Sequence, residues 1–302
     1  MSSNNNNNNK PCPPCLFEDF DKCQRDLATE NFPDSFKVEV GTKTDNNLEF
    51  AGSVTRTGDN VKGSVTPKFS FPAYKSVIKT TVDTSSLIKV DTTISELVEG
   101  VKINVVSELG PCTKGKFNVD YKHAKFATAL TLSGSSLPNG PFNLDTSLAV
   151  PIGCRFLAGS SLSVSNLGAE NDIKSVKGGL FYKEKQFTIG ATVTSGSQSM
   201  GNRSLVGGLS YFQTVNASTN VGASVSYDLR GGETSMCLAL SHKLRDDLTS
   251  KVKVGSCGLV AASLSQKINP NVNLLLGGQV NMIRGLSSAK DNKVGFNLSF
   301  KN

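Results

Sequence analysis

From residue 36 to residue 300 apolar residues recur at every second position, and that period constrains what the chain can fold into. At the start Phe36, Val38 and Val40 alternate with Lys37, Glu39 and Gly41. At the end Val294, Phe296, Leu298 and Phe300 alternate with Lys293, Gly295, Asn297 and Ser299. A side-chain period of two belongs to a β-strand with one apolar and one polar face. Further windows lie at 48–54, 61–69, 74–82, 87–95, 101–108, 116–123, 125–132, 142–150 and 156–164. They continue at 176–184, 186–193, 204–212, 218–228, 234–242, 249–255, 258–266 and 271–280, ending at 293–300. Each approaches the roughly 9–11 residues of a tilted membrane-spanning strand. The short turns between most of them, such as Gly58-Asp59-Asn60, mark an antiparallel meander. A strand that ends a chain must be paired or it is an exposed edge.

Many short strands at even spacing suit a β-sandwich array or an up-and-down barrel. The apolar face persists at nearly every strand, with no second layer to cover it except lipid. The opposite face is rich in lysine, a poor packed core but a good wall for water. The expected fold is therefore all-β, a transmembrane β-barrel with an N-terminal amphipathic helix. A mean hydropathy of -0.17 does not oppose this, because alternating faces cancel in the average. The longest apolar run, 257–262, is far short of the roughly 18 residues of a transmembrane helix.

Upstream of the strands, Leu16, Phe20, Cys23 and Leu27 fall on one helical stripe, so a helix is expected from near Pro14 until Pro33 stops it. Such a helix either docks by its stripe on the protein's own surface or plugs a channel. The expected division is an Asn-rich disordered tail at 1–13, helix and linker at 14–35, and barrel at 36–302. Residues 1–35 hold three basic and six acidic residues, net −3, which leaves +10 of the total +7 on the body. Opposite potentials favour an acidic helix inside a basic lumen.

On the polar face, Lys37, Lys43, Lys62, Lys68, Lys75, Lys79, Lys89, Lys102, Lys116 and Lys122 outnumber Glu39, Glu49, Asp91 and Asp120. If that face lines a pore, its field favours anions, and salt screening over roughly 8–10 Å makes the preference graded. Lysine also simply solvates sheet faces and guards edges, so both readings stay open at this point.

Catalysis finds little support. His123 and His242 are isolated, and there is no GxxxxGK[ST] loop, GxSxG elbow or paired-His metal motif. Cys12 and Cys15 lack a second pair to complete a zinc site, and the seven scattered cysteines argue against a disulfide framework. No metal or other cofactor is expected. No basic helix or aromatic platform suggests nucleic acid as a partner. The polar start has no apolar signal core, so synthesis in the cytosol and insertion without a cleaved leader are expected.

Several stretches resemble the mitochondrial outer-membrane porin family, the voltage-dependent anion channels, from about Pro13 to Phe300. The segment 18–29, with Lys22, Arg25 and Asp26 on its charged positions, is similar to the family's amino-terminal helix. Phe36-Lys-Val-Glu-Val-Gly-Thr-Lys-Thr44 with Asn47-Leu-Glu-Phe50 is similar to its first hairpin. Gly100, Val101 and Lys102 stand at its Gly-Leu-Lys motif, which implies nucleotide contact. Lys293, Gly295, Leu298 and Phe300 fit its carboxy-terminal sorting signal, read by the outer-membrane insertion machinery. The resemblance implies nineteen strands, the family's established number rather than one counted from the windows, with the first and last paired in parallel. It also implies voltage-gated passive diffusion of ATP, ADP, phosphate and respiratory substrates, with weak anion selectivity when open. Expected partners are membrane lipid, transported anions and nucleotides, the insertion machinery, and a second copy of the chain in a homo-oligomer.

The chain departs from the family's pattern in places. Asn31-Phe-Pro-Asp-Ser35 replaces a glycine-rich hinge, and Pro33 stiffens the joint. Thr80, facing lipid by parity, stands where animal members carry a glutamate. Glu30 replaces a lysine and Arg245 an aspartate. Two other functions fit parts of the pattern: the pore subunit of the outer-membrane protein translocase, and a soluble all-β binding protein for an acidic partner.

Overall fold

The computed structural model describes residues 15–44, 47–96, 98–110, 112–135, 142–165, 172–197, 203–283 and 292–301. The tail expected at 1–13, with Cys12, and the helix start near Pro14 lie outside the described residues. A 3-10 turn (Phe17–Asp19) and helix α1 (Lys22–Thr29) precede the strands. First come β1 (Phe36–Lys43), β2 (Leu48–Thr57), β3 (Asn60–Phe71), β4 (Ser76–Asp83) and β5 (Ile88–Ser95). Next are β6 (Val101–Leu109), β7 (Lys114–His123), β8 (Phe126–Ser135), β9 (Asn143–Ile152) and β10 (Phe156–Ser165). Then follow β11 (Asp172–Lys183), β12 (Phe187–Ser197), β13 (Arg203–Asn216), β14 (Thr219–Asp228) and β15 (Thr234–Arg245). The chain finishes with β16 (Leu248–Gly255), β17 (Leu259–Asn269), β18 (Val272–Asn281) and β19 (Lys293–Lys301).

Among the described residues these form one closed sheet of 19 strands, each paired antiparallel with the next. An odd number of strands in a meander leaves the first and last pointing the same way. The closing pair must then be parallel, and β1 meets β19 in that sense, with Phe36 opposite Phe296 and Val40 opposite Phe300. Closure removes the edge that the terminal strand would otherwise present.

The register carries the faces unbroken around the ring. Val38 is opposite Val54, Val65 opposite Val82, and Leu276 opposite Phe296, all on the outside. Outer residues stay apolar and uncovered: Val61, Leu209 and Leu238 are 60%, 61% and 58% exposed. That surface is costly in water and suited to lipid. Outward aromatics gather at one end, where Tyr121 meets Phe126 at 5.7 Å and Phe156 meets Tyr182 at 5.1 Å, as in an interfacial girdle. Thr80 lies on the outer face beside Val90. The buried apolar residues sit where the amino-terminal segment touches the inner wall. An outside of this kind overturns the soluble binding protein as a reading.

Candidate functional site

The amino-terminal segment lies inside the barrel. Phe17 and Phe20 pack edge to face on each other and on Phe181, with centroids 5.5, 6.5 and 5.0 Å apart. Ala127, Ala149 and Leu157 complete this cluster. Gly159 makes room for it, since a β-carbon there would lie 2.3 Å from the Phe17 ring. About two turns on, Leu27 and Ala28 rest on Ala239, Phe212 and Cys237. Full burial of each large apolar side chain contributes about 1.5–3 kcal/mol, so the segment is docked on the wall.

The docked face corrects the predicted stripe. Phe17, Phe20, Gln24, Leu27 and Ala28 are buried, whereas Cys23 is exposed and Leu16 half-buried. The cause is a break at Asp21 (φ -100, ψ 8) between the 3-10 turn and α1. Three residues per turn before the break and 3.6 after it shift the phase of any single stripe. Arg25 spans the break, bonding Asp21 at 2.8 Å and donating to the Glu18 carbonyl at 3.0 Å. Lys22 is exposed and Asp26 half-buried. The helix ends at Thr29, ahead of Asn31 in the left-handed region (φ 63), so Pro33 is not its terminator.

Wall lysines grip this segment from below. Lys177 lies 3.9 Å from Asp21 and 5.5 Å over the Phe17 ring. Lys251 donates to the Glu30 carbonyl at 3.4 Å, and Lys253 sits 4.5 Å over Phe32. Lys293 pairs with Asp34 at 3.2 Å. Lys177, Lys251 and Lys253, in windows 176–184 and 249–255, follow the same alternation as the lining lysines expected up to Lys122 and were not among them.

The predicted lining lysines divide into groups. Lys37 pairs with Glu39 at 2.5 Å, Lys89 with Glu108 at 3.1 Å, and Glu49 is shared by Lys68 at 2.9 Å and Lys43 at 3.9 Å. Lys62 lies in register with Thr55 on the lumen face, within electrostatic reach of Asp83. Lys79, Lys102, Lys116 and Lys122 share that face, opposite Asp91, Asp120, Ser133 and Ala127. None of these four makes an ion pair among the described residues. Lys75 is a correction: it caps the 3-10 turn Pro72–Tyr74 in the left-handed conformation (φ 46) and pairs with Glu96. Pro72 fixes φ and opens that turn, so β4 starts two residues later than its window and Lys75 sits on the rim.

The Gly-Val-Lys motif is split by the fold. Gly100 occupies the β5–β6 turn (φ +78), where a β-carbon would lie 2.2 Å from the Lys122 carbonyl. Val101 pairs with Tyr121 on the outside, and of the three only Lys102 presents its side chain to the lumen. Gly295 has a local steric role as well: Ser35 crosses directly above it and Pro33 above Gly277. Leu298 and Phe300 face outward with Phe296.

The family model of the eukaryotic porins matches residues 13–295. The chain belongs to the eukaryotic porin family. Human "Non-selective voltage-gated ion channel VDAC1" is 22% identical over 301 residues, covering 95% of this chain and 99% of the relative. The Arabidopsis thaliana "Mitochondrial outer membrane protein porin 3" is 22% identical over 290 residues, with 95% and 98% covered. The Candida albicans "Mitochondrial outer membrane protein porin" is 25% identical over 295 residues, with 95% and 99% covered.

This porin is a channel of the mitochondrial outer membrane and not an enzyme. No group of metal-binding side chains occurs among the described residues. His123 stacks on Tyr121 on the outer face, and His242 bonds Thr219 at 2.9 Å. At the rim, the hydrogen bond from Lys75 holds the Glu96 carboxyl below the usual glutamate range. Lys243, 2.7 Å away, does the same for Asp246.

Proposed function

We propose that this porin lets small anionic metabolites, among them phosphate, ATP, ADP and respiratory carboxylates, diffuse passively across the outer membrane. Its preference for anions is weak and graded, and membrane voltage closes it. The observation that carries the reading is the set Lys79, Lys102, Lys116 and Lys122 on the lumen face without ion pairs among the described residues. A wide wet lumen strips no hydration from its solute, so the field of the wall sets preference, limited by screening over roughly 8–10 Å. The name of the human relative gives voltage gating to that protein, and calls it non-selective. Lys102 of the Gly-Val-Lys motif is the candidate nucleotide contact. Lys293, Gly295, Leu298 and Phe300 are the candidate signal for the insertion machinery.

Reconstitution in planar bilayers tests the reading. A large voltage-sensitive conductance with an anion-side reversal potential in a salt gradient is expected. Strong cation preference, or no voltage-sensitive conductance from folded protein, overturns it.

A further inference from the structure

The lumen of this porin is electrically one-sided. The amino-terminal segment covers β9–β11 and β13–β15, and Lys177, Lys251, Lys253 and Lys293 are engaged with it. Its open face adds acid to that side, since Glu18 and Glu30 are exposed. Each of these cations therefore faces a carboxylate, a carbonyl or an aromatic ring before it faces a passing solute.

The wall formed by β5–β9 is different. It carries a recess of about 540 Å³ whose lining includes Lys89, Lys114, Lys116, Glu108, Asn104 and Asn118, three cations to one carboxylate. Volumes of this order hold small-molecule ligands. Lys89 pairs with Glu108 at 3.1 Å; Lys114 stands opposite Glu108 in register, yet neither it nor Lys116 makes an ion pair among the described residues. The Asn118 carboxamide oxygen is buried without a hydrogen-bond partner, and its nitrogen donates to Asn104 at 3.3 Å. The recess thus offers two ammonium groups without an ion pair, the chemistry that draws a compact dianion; the amides add little, since the Asn104 nitrogen already donates to Asp91 and Thr93 and the open Asn118 atom is an acceptor.

The two sides act independently. Nineteen strands about 4.8 Å apart enclose a ring roughly 30 Å across at the least, several screening lengths at physiological salt. A charge change under the helix is therefore not felt at the recess.

We propose that the anion preference of this porin is set on one side of its lumen. The recess at Lys114 and Lys116 briefly holds compact dianions such as inorganic phosphate, and the lysines beneath the helix contribute little. This rests on the anion-preferring reading above, but adds Lys114 to it and assigns the preference to one wall of the lumen.

The test uses full-length protein in planar bilayers, comparing K114Q/K116Q with K251Q/K253Q. K114Q/K116Q should lower the anion-to-cation permeability ratio roughly two-fold, a graded effect in a screened lumen, while K251Q/K253Q leaves it unchanged. Added inorganic phosphate should reduce chloride current through the wild type and not through K114Q/K116Q. Single-channel conductance of wild-type size shows that a variant is folded, and K114Q alone carries the test should the double variant not insert. An equal shift from both double variants overturns the proposal, as does a phosphate effect that survives K114Q/K116Q. A wild type with no anion preference defeats the function proposed above instead, so the two failures are distinguishable.

Discussion

Ser35 crosses the lumen face of Gly295 so closely that a β-carbon at 295 would lie 2.5 Å from both the Ser35 nitrogen and oxygen. Gly277, paired with Gly295, receives the Pro33 ring in the same way. The joint between helix and barrel is therefore a seat built from two glycines and a proline. Gly295→Ala should cost about 1–3 kcal/mol, the usual range for overpacking, and should loosen residues 15–35. Gly52→Ala, with nothing within 4 Å of the new carbon, is the control. Barrel refolded in vitro separates this effect from any role in import. Equal thermal midpoints and equal trypsin sensitivity at Lys22 and Arg25 would show that the seat is not tight.

The Phe181 ring is 1% exposed beneath Phe17 and Phe20. Phe181→Ala removes the anvil on which the 3-10 turn rests. A loss of about 3–5 kcal/mol is usual for a buried phenylalanine, but the barrel's hydrogen-bonded wall does not depend on this ring. The expected result is a detached helix on an intact barrel. Trypsin should cut at Lys22 and Arg25 while the strand circular dichroism is unchanged; continued protection at those sites counts against the clasp.

The barrel was legible in the sequence because a period of two survives in every strand, and lipid outside with water inside lets no tertiary packing override it. Lysine placement followed from parity wherever a strand runs straight, as at Lys68, Lys79 and Lys102. Parity fails at turns, which is why Lys75 proved to be a rim residue. The docked face of the helix is not legible in the sequence, because a change from three to 3.6 residues per turn at Asp21 leaves no mark in a stripe count. The long-range pairs of Lys177 with Asp21 and Lys293 with Asp34 join residues distant in sequence, so only the closed wall brings them together.

The rim ion pairs give a pH signature. Lys75 depresses the Glu96 carboxyl, so the pair is fully formed above the usual glutamate range and is lost as pH falls through the depressed value. Lys75→Gln should raise the Glu96 titration back into the ordinary glutamate range, read by carbon NMR of the carboxyl. A Glu96 titration unaffected by the substitution removes the assignment. Lys243→Gln should act likewise on Asp246.

Cys23 and Cys237 stand on opposite sides of the docked helix, the first exposed to the lumen and the second half-buried against Leu27 and Ala28. In variants keeping one of these thiols, a sulfonate-bearing methanethiosulfonate should label Cys23 at once and Cys237 slowly. Labelling of Cys237 then requires the helix to lift. Leu27→Ala, losing about 2 kcal/mol of docking, should accelerate it roughly thirty-fold. The charge added at Cys23 is negative and faces the water path, so labelling there should also shift the reversal potential towards cations. Comparable labelling rates at the two thiols would mean that the helix does not rest on β15, and with it the cover over the neighbouring lysines of β16 would be lost.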